Sequence, residues 1–263
     1  MAKVKYILLC WMFILLIMAL GSTWLAPFDP QELDLSARLL EPGPVHWLGT
    51  DQLGRDVYSR VLFGARYSLF LALTITLLES ALGLGIGLVV GWYQGRVKSC
   101  FLWFANAISA FPSFMLALVF VAFFGQGILN VIVAIVAVEW FYYARFAIQL
   151  VEEIKQIEYV QVAQMMNLPL RTIIWRHILP FVYKPVLVLA LMNVGSIILM
   201  ISSFSFLGLG LQPTMPEWGM MLHDARPYFN GASWLMWAPG LAIFATVASF
   251  NYMGEYFSER ISR

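Results

Sequence analysis

The chain has 263 residues, of which 61% are hydrophobic and only 12% charged, with a mean hydropathy of +0.78. A water-soluble domain of ordinary composition does not reach these values, so the expected solvent is a bilayer. Net charge is +1 and the basic residues are dispersed, which argues against a nucleic-acid partner, since phosphate neutralisation needs a basic stripe.

A helix needs about 20 apolar residues to cross the hydrocarbon core. Six segments meet that length: residues 6–25, 67–93, 100–124, 128–148, 182–207 and 235–257. The expected fold is therefore all-α and polytopic, with about six transmembrane helices. Lys3 and Lys5 precede the first segment and Ala19, Leu20 and Gly21 offer small residues near its end, as in a signal peptide. Its apolar run exceeds the roughly 7–15 residues of a signal core, so a membrane anchor is expected. Residues 1–66 are read as that helix plus an external loop, and residues 67–263 as a five-helix core.

Orientation follows from the basic residues, which collect on the cytoplasmic side. With the N-terminus inside, Lys3, Lys5, Arg96, Lys98, Arg145, Lys155, Arg171, Arg176, Lys184, Arg260 and Arg263 face the cytoplasm, whereas Arg38, Arg55, Arg60, Arg66 and Arg226 lie outside. Eleven against five predicts that both termini are cytoplasmic.

Three polar segments are too long for simple turns: residues 26–66 and 208–234 outside, and 149–180 inside. In the inner one, residues 151–157 and 159–166 read as helical, Pro169 bends the chain, and residues 170–178 suit a short helix ending at Pro180. A helix–bend–helix is expected to protrude into the cytoplasm.

That segment, EYVQVAQMMNLPLRTIIWRHILP, resembles the EAA loop of ABC importer permeases, in which EAA is followed by three residues, Gly, nine residues and I-x-L-P. In this register Gln161, Val162 and Ala163 take the EAA positions, Asn167 the Gly, and His177 the Ile, while Leu179 and Pro180 match outright. Asn tolerates the left-handed backbone conformation that such a Gly would adopt. A short helix presenting small side chains suits a groove on an ATPase subunit and would transmit movement as a rigid element.

Further resemblance comes from HWLGTDQLGRDVYSRVLFGARYSL and from FSFLGLGLQPTMPEWGMMLHDARPYF, WAPGLAIF and FNYMGEYFSER, which are similar to blocks of the dipeptide, oligopeptide and nickel branch of these permeases. The resemblance implies a type I importer permease fold in a bacterial inner membrane, with a second, homologous permease as heterodimer partner, two ABC ATPase subunits and an extracytoplasmic binding protein. It implies no cofactor on this chain, with ATP and Mg held by the ATPases.

Gly49-Thr50-Asp51 and Gly54-Arg55-Asp56 lack the spacing of a phosphate loop, so structural turns and charge pairing are expected there. Gly83-Leu84-Gly85-Ile86-Gly87 reads as a helix-packing face. No catalytic motif is present.

Residues 25–56 and 216–229 are similar to nickel-type permeases in particular, which makes nickel or a nickel chelate the expected cargo, with dipeptides or oligopeptides as the alternative. Glu79 and Glu139, within the second and fourth spans, are candidates for a cation pathway, because carboxylates at membrane depth are costly. The alternative for both is hydrogen bonding between helices. His46 and His223 are outer-face candidates for touching cargo, imidazole being a suitable ligand for such ions. No metal site is firmly assigned, and Cys10 and Cys100 lack the spacing of one. A secondary transporter or channel would need coupling-ion sites, for which two carboxylates are too few.

Overall fold

The computed structural model describes residues 2–93, 95–210 and 215–261, with side chains from residue 10 to 259 within those ranges. The side chains of Lys3, Lys5 and Arg260, together with Arg263 and residues 211–214 of the third similar block, lie outside the described residues. The fold is all-helical. The helices are α1 (Ala2–Leu25), α2 (Val57–Trp92), α3 (Arg96–Ser109), α4 (Ser113–Phe124), α5 (Ile128–Lys155), α6 (Glu158–Met165), α7 (Leu170–Ile173), α8 (Leu179–Phe206), α9 (Trp218–Ala225) and α10 (Trp234–Ile261).

Among the described residues, four helical stretches are long and apolar enough to span a bilayer: α2, α5, the run Leu170–Phe206 and α10. The third expected span, residues 100–124, is a correction to the sequence reading. It is broken into α3 and α4, bent by 80°. Pro112 causes the break: it has no N–H to continue α3, and its carbonyl instead accepts from Met115 and Leu116 to open α4. The bent pair counts as a fifth span only if taken as one. Helix α1 is 24 residues long, and its described side chains, Cys10–Leu25, form an apolar stretch.

Boundaries shift where the physics is local. Helix α2 begins at Val57, ten residues before the expected start, because the Asp56 carboxylate accepts from Ser59 N at 2.8 Å and caps it. Residue 66, the expected boundary between the two parts of the chain, thus falls within α2. Helix α5 runs past the expected end at residue 148 to Lys155, whose Nζ donates to the Trp92 carbonyl at 2.6 Å.

Pro180 was expected to end the loop, yet the chain passes through it without stopping. A π turn over Ile174–Ile178 joins α7 to α8, and Leu179 N bonds back to Ile174 O. Widening the turn moves the preceding carbonyls clear of the pyrrolidine ring.

The core is built on α2, with α5 and α8 packed along it, α10 against α8, and α1 against α2 and α10. Thr23 and Phe63 line one cavity, so α1 ends where α2 begins.

Candidate functional site

The loop after α5 is a folded unit. Helix α6 closes in a left-handed turn: Asn167 has φ +54, Asn167 N donates to Gln164 O at 3.0 Å, and Leu168 N to Ala163 O at 3.3 Å. This is the backbone the sequence predicted for Asn167 at a Gly position. Pro169 then starts α7.

The two faces of α6 differ sharply. Val160 and Ala163 pack inward with Val151, Ile154, Ile173, Ile178 and Val182. The opposite face exposes Val162 (52%), Met165 (78%) and Met166 (69%), with Trp175 of the π turn nearby in sequence and also exposed. Ala163 is only 4% exposed, so the small side chain expected to meet a partner is instead a core residue. Gln161 is exposed, its amide donating to Gln156 O at 3.2 Å. The His177 carbonyl accepts from the Tyr159 hydroxyl at 3.0 Å, Leu179 packs against the inner core, and Pro180 is exposed. This arrangement leaves an exposed apolar face on a loop whose other face is anchored in the core.

At the opposite end, residues 46–60 form turns and buried charge pairs. Gly54 has φ +78, and a Cβ there would lie 1.7 Å from the Asp34 carbonyl oxygen, so only Gly fits. Arg55 Nε donates to Asp51 Oδ2 at 2.6 Å, and its Nη2 reaches Asp224 Oδ2 at 3.4 Å. Arg60 lies 3.6 Å from Asp51 and donates to Pro30 O at 3.1 Å. Burial pushes the Asp224 carboxyl above its ordinary value, opposed by Arg55 and Arg60.

Sequence reasoning found the charge pairing but missed Asp224, 169 residues from Arg55. It also missed Glu217, fully buried, whose carboxylate accepts from Gly219 N and Met220 N at 2.9 Å to cap α9. The Pro-Glu-Trp-Gly string held the available signal, since an acid just before an apolar helical turn is a capping pattern.

Glu79 is fully buried. Its Oε1 accepts from Tyr143 OH at 3.4 Å and from Asn193 Nδ2 at 3.3 Å, so it joins α2 to α5 and α8. Glu139 is half-buried on α5, one turn before Tyr143. His46 Nδ1 donates to Asp56 Oδ1 at 2.9 Å with its ring against Phe28, and His223 Nδ1 donates to Phe206 O at 2.8 Å. The structure brings neither histidine to Glu79 or Glu139, and no group of three or more His, Cys, Asp or Glu suited to a metal occurs among the described residues.

Residues 83–263 match the family described as the binding-protein-dependent transport system inner membrane component. The chain belongs to this family of ABC importer permeases. Three relatives align with nearly all of the permease. It is 39% identical over 242 residues to the nickel transport system permease protein NikC of Escherichia coli, covering 92% of this chain and 87% of that one. It is 38% identical over 247 residues to the glutathione transport system permease protein GsiD of Pectobacterium atrosepticum, covering 93% and 82%. It is 35% identical over 242 residues to the probable D,D-dipeptide transport system permease protein DdpC of Escherichia coli, covering 92% and 81%. The permease is thus a multi-pass inner-membrane, non-catalytic component of an importer of the nickel, peptide and glutathione branch. Such a system also comprises an ATPase, a binding protein and a partner permease.

Proposed function

We propose that this permease carries nickel or a nickel chelate inward, pairing as a heterodimer with a second, homologous permease over two ATPase subunits that bind ATP and Mg. The α6 docking face carries the ATP-coupled part of this reading. Apolar Val162, Met165 and Met166 stand exposed on a loop whose other face is anchored in the core, as force transmission to the bundle requires. An extracytoplasmic binding protein delivers cargo to the end that carries α9. Identity of 39% to a nickel permease supports the cargo, and the 38% and 35% identities to glutathione and D,D-dipeptide permeases favour a peptide as the second reading.

The test is uptake of radioactive nickel, with a labelled dipeptide in parallel, by cells lacking the subunit and by cells restored with wild type or Met165→Asp. Restoration of nickel uptake alone by wild type is expected. Met165→Asp should assemble in the membrane, lose copurifying ATPase and transport at least ten-fold less. Restored dipeptide uptake without nickel uptake would overturn the cargo, and full transport by Met165→Asp would overturn the docking face.

A further inference from the structure

The buried apolar interior falls into two clusters along the bundle. One fills the end carrying α9 and includes Ile75 of α2, Val138 of α5, and Val194 and Ile197 of α8. The other fills the end carrying α6 and includes Leu88 of α2, Tyr143 and Ala147 of α5, and Val186 and Ala190 of α8. On each of the three helices the changeover falls at a polar side chain. Glu79 lies between Ile75 and Leu88, Tyr143 follows Val138, and Asn193 lies between Ala190 and Val194. These three meet. Asn193 Nδ2 donates to Tyr143 OH at 3.1 Å and to Glu79 Oε1 at 3.3 Å, and Tyr143 OH donates to Glu79 Oε1 at 3.4 Å. Glu79 Oε2 is buried without a hydrogen-bond partner.

We propose that this polar seam is the joint at which the half of the bundle bearing α6 and α7 turns against the half bearing α9, and that Glu79, Tyr143 and Asn193 are positioning residues for coupling rather than contacts for cargo. The inference rests on the ATP-coupled reading of the α6 face.

The half below the seam is built as a lever. A Cβ at Gly83 would lie 2.4 Å from Tyr143 Cβ, one at Gly87 2.5 Å from Ala147 Cβ, and one at Gly91 2.9 Å from Val151 Cβ. From the seam to the α6 end, α2 and α5 therefore touch nearly backbone to backbone and move as a pair. Val160 and Ala163 of α6 belong to the same cluster, so movement imposed on the loop reaches Tyr143.

The seam is also where packing can change at least cost. The two bonds to Glu79, at 3.3 and 3.4 Å, are longer than usual for their types, and the unpartnered Oε2 gives Tyr143 or Asn193 a second acceptor, so the bonds can exchange without being lost. Close-packed apolar clusters on either side resist gradual deformation and favour a switch at the polar plane. Stability is a poor explanation, because interhelical hydrogen bonds in membranes contribute little net and a carboxylic acid at this depth is expensive.

The test uses the whole complex in liposomes, with its ATPases and binding protein and Ni2+ alone as the cargo probe. Tyr143→Phe removes one hydroxyl at nearly constant volume, and Asn193→Leu removes the bridging donor. Both should lower the maximal uptake rate at least ten-fold while KM and the ATP hydrolysis rate stay within two-fold. A raised KM with the maximal rate retained would mark the cluster as a cargo contact and overturn the proposal, as would unchanged transport. A second readout needs no cargo. Nitroxides are placed at Glu153→Cys and Phe229→Cys after Cys10 and Cys100 are replaced by Ser. Their separation should shift on adding a non-hydrolysable ATP analogue in wild type and remain fixed in Tyr143→Phe, and an equal shift in both overturns the joint. Absence of Ni2+ uptake by wild type would reject the nickel assignment alone, since the nitroxide distance still decides the seam.

Discussion

Single residues carried more of the loop than their poor match to the EAA pattern suggested. Asn167 was legible because few side chains other than Gly accept a left-handed backbone, and its φ of +54 follows. Ala163 was legible as a residue but not as a direction: which face of a short helix turns inward depends on partners distant in sequence, here Ile173, Ile178 and Val182. Asp224 was illegible for the same reason, since its partner Arg55 belongs to the other external segment. Its raised pKa makes a test. A carboxyl that holds its proton more tightly in the folded state favours folding below its ordinary value of 3.8, and that contribution is lost as pH rises through the raised value. Asp224→Asn removes this titration. The thermal stability of wild type relative to Asp224→Asn should therefore fall from pH 4 upward and level off once the carboxyl is ionised. A difference that does not vary with pH would show that Asp224 is as solvated as in the unfolded chain.

Among elements, apolar length located the four helical stretches long enough to cross but not the bend between α3 and α4 or the π turn before α8, because hydropathy does not register what a proline does to neighbouring carbonyls. The Gly-rich stretch of α2 was legible as a packing face, though only in part. Gly83 and Gly87 meet α5 and Gly91 continues the row, whereas a Cβ at Gly85 would meet nothing within 4 Å. That asymmetry separates two variants. Gly87→Leu forces carbon into a contact where Ala144 O would lie 2.8 Å from the new Cβ, and overpacking of this kind costs about 1–3 kcal/mol. Gly85→Leu adds apolar surface facing open space and should be nearly neutral. Thermal unfolding of the detergent-solubilised complex should show a lowered midpoint for the first alone, and equal midpoints would mean that α2 and α5 are not in backbone contact at this level.

At the scale of the whole molecule, the sequence sets an expected orientation, and the fold shows which groups lie at each end of the bundle for testing it. The sequence separates basic residues eleven to five between the two sides. The fold places Lys98 in an ion pair with Glu152 and Lys155 on the Trp92 carbonyl, at the α6 end, and Arg55 and Arg60 around Asp51 at the α9 end. If basic residues stay inside, the α6 end is cytoplasmic. Thiol labelling tests this directly once Cys10 and Cys100 are replaced by Ser. A cysteine at exposed Leu35, in the segment between α1 and α2, should react with a membrane-impermeant maleimide added to spheroplasts, and one at exposed Glu153, at the α6 end but outside the docking face, should react only in inverted vesicles. The opposite pattern would put the α6 docking face outside, away from any source of ATP, and would remove the coupling mechanism along with the orientation.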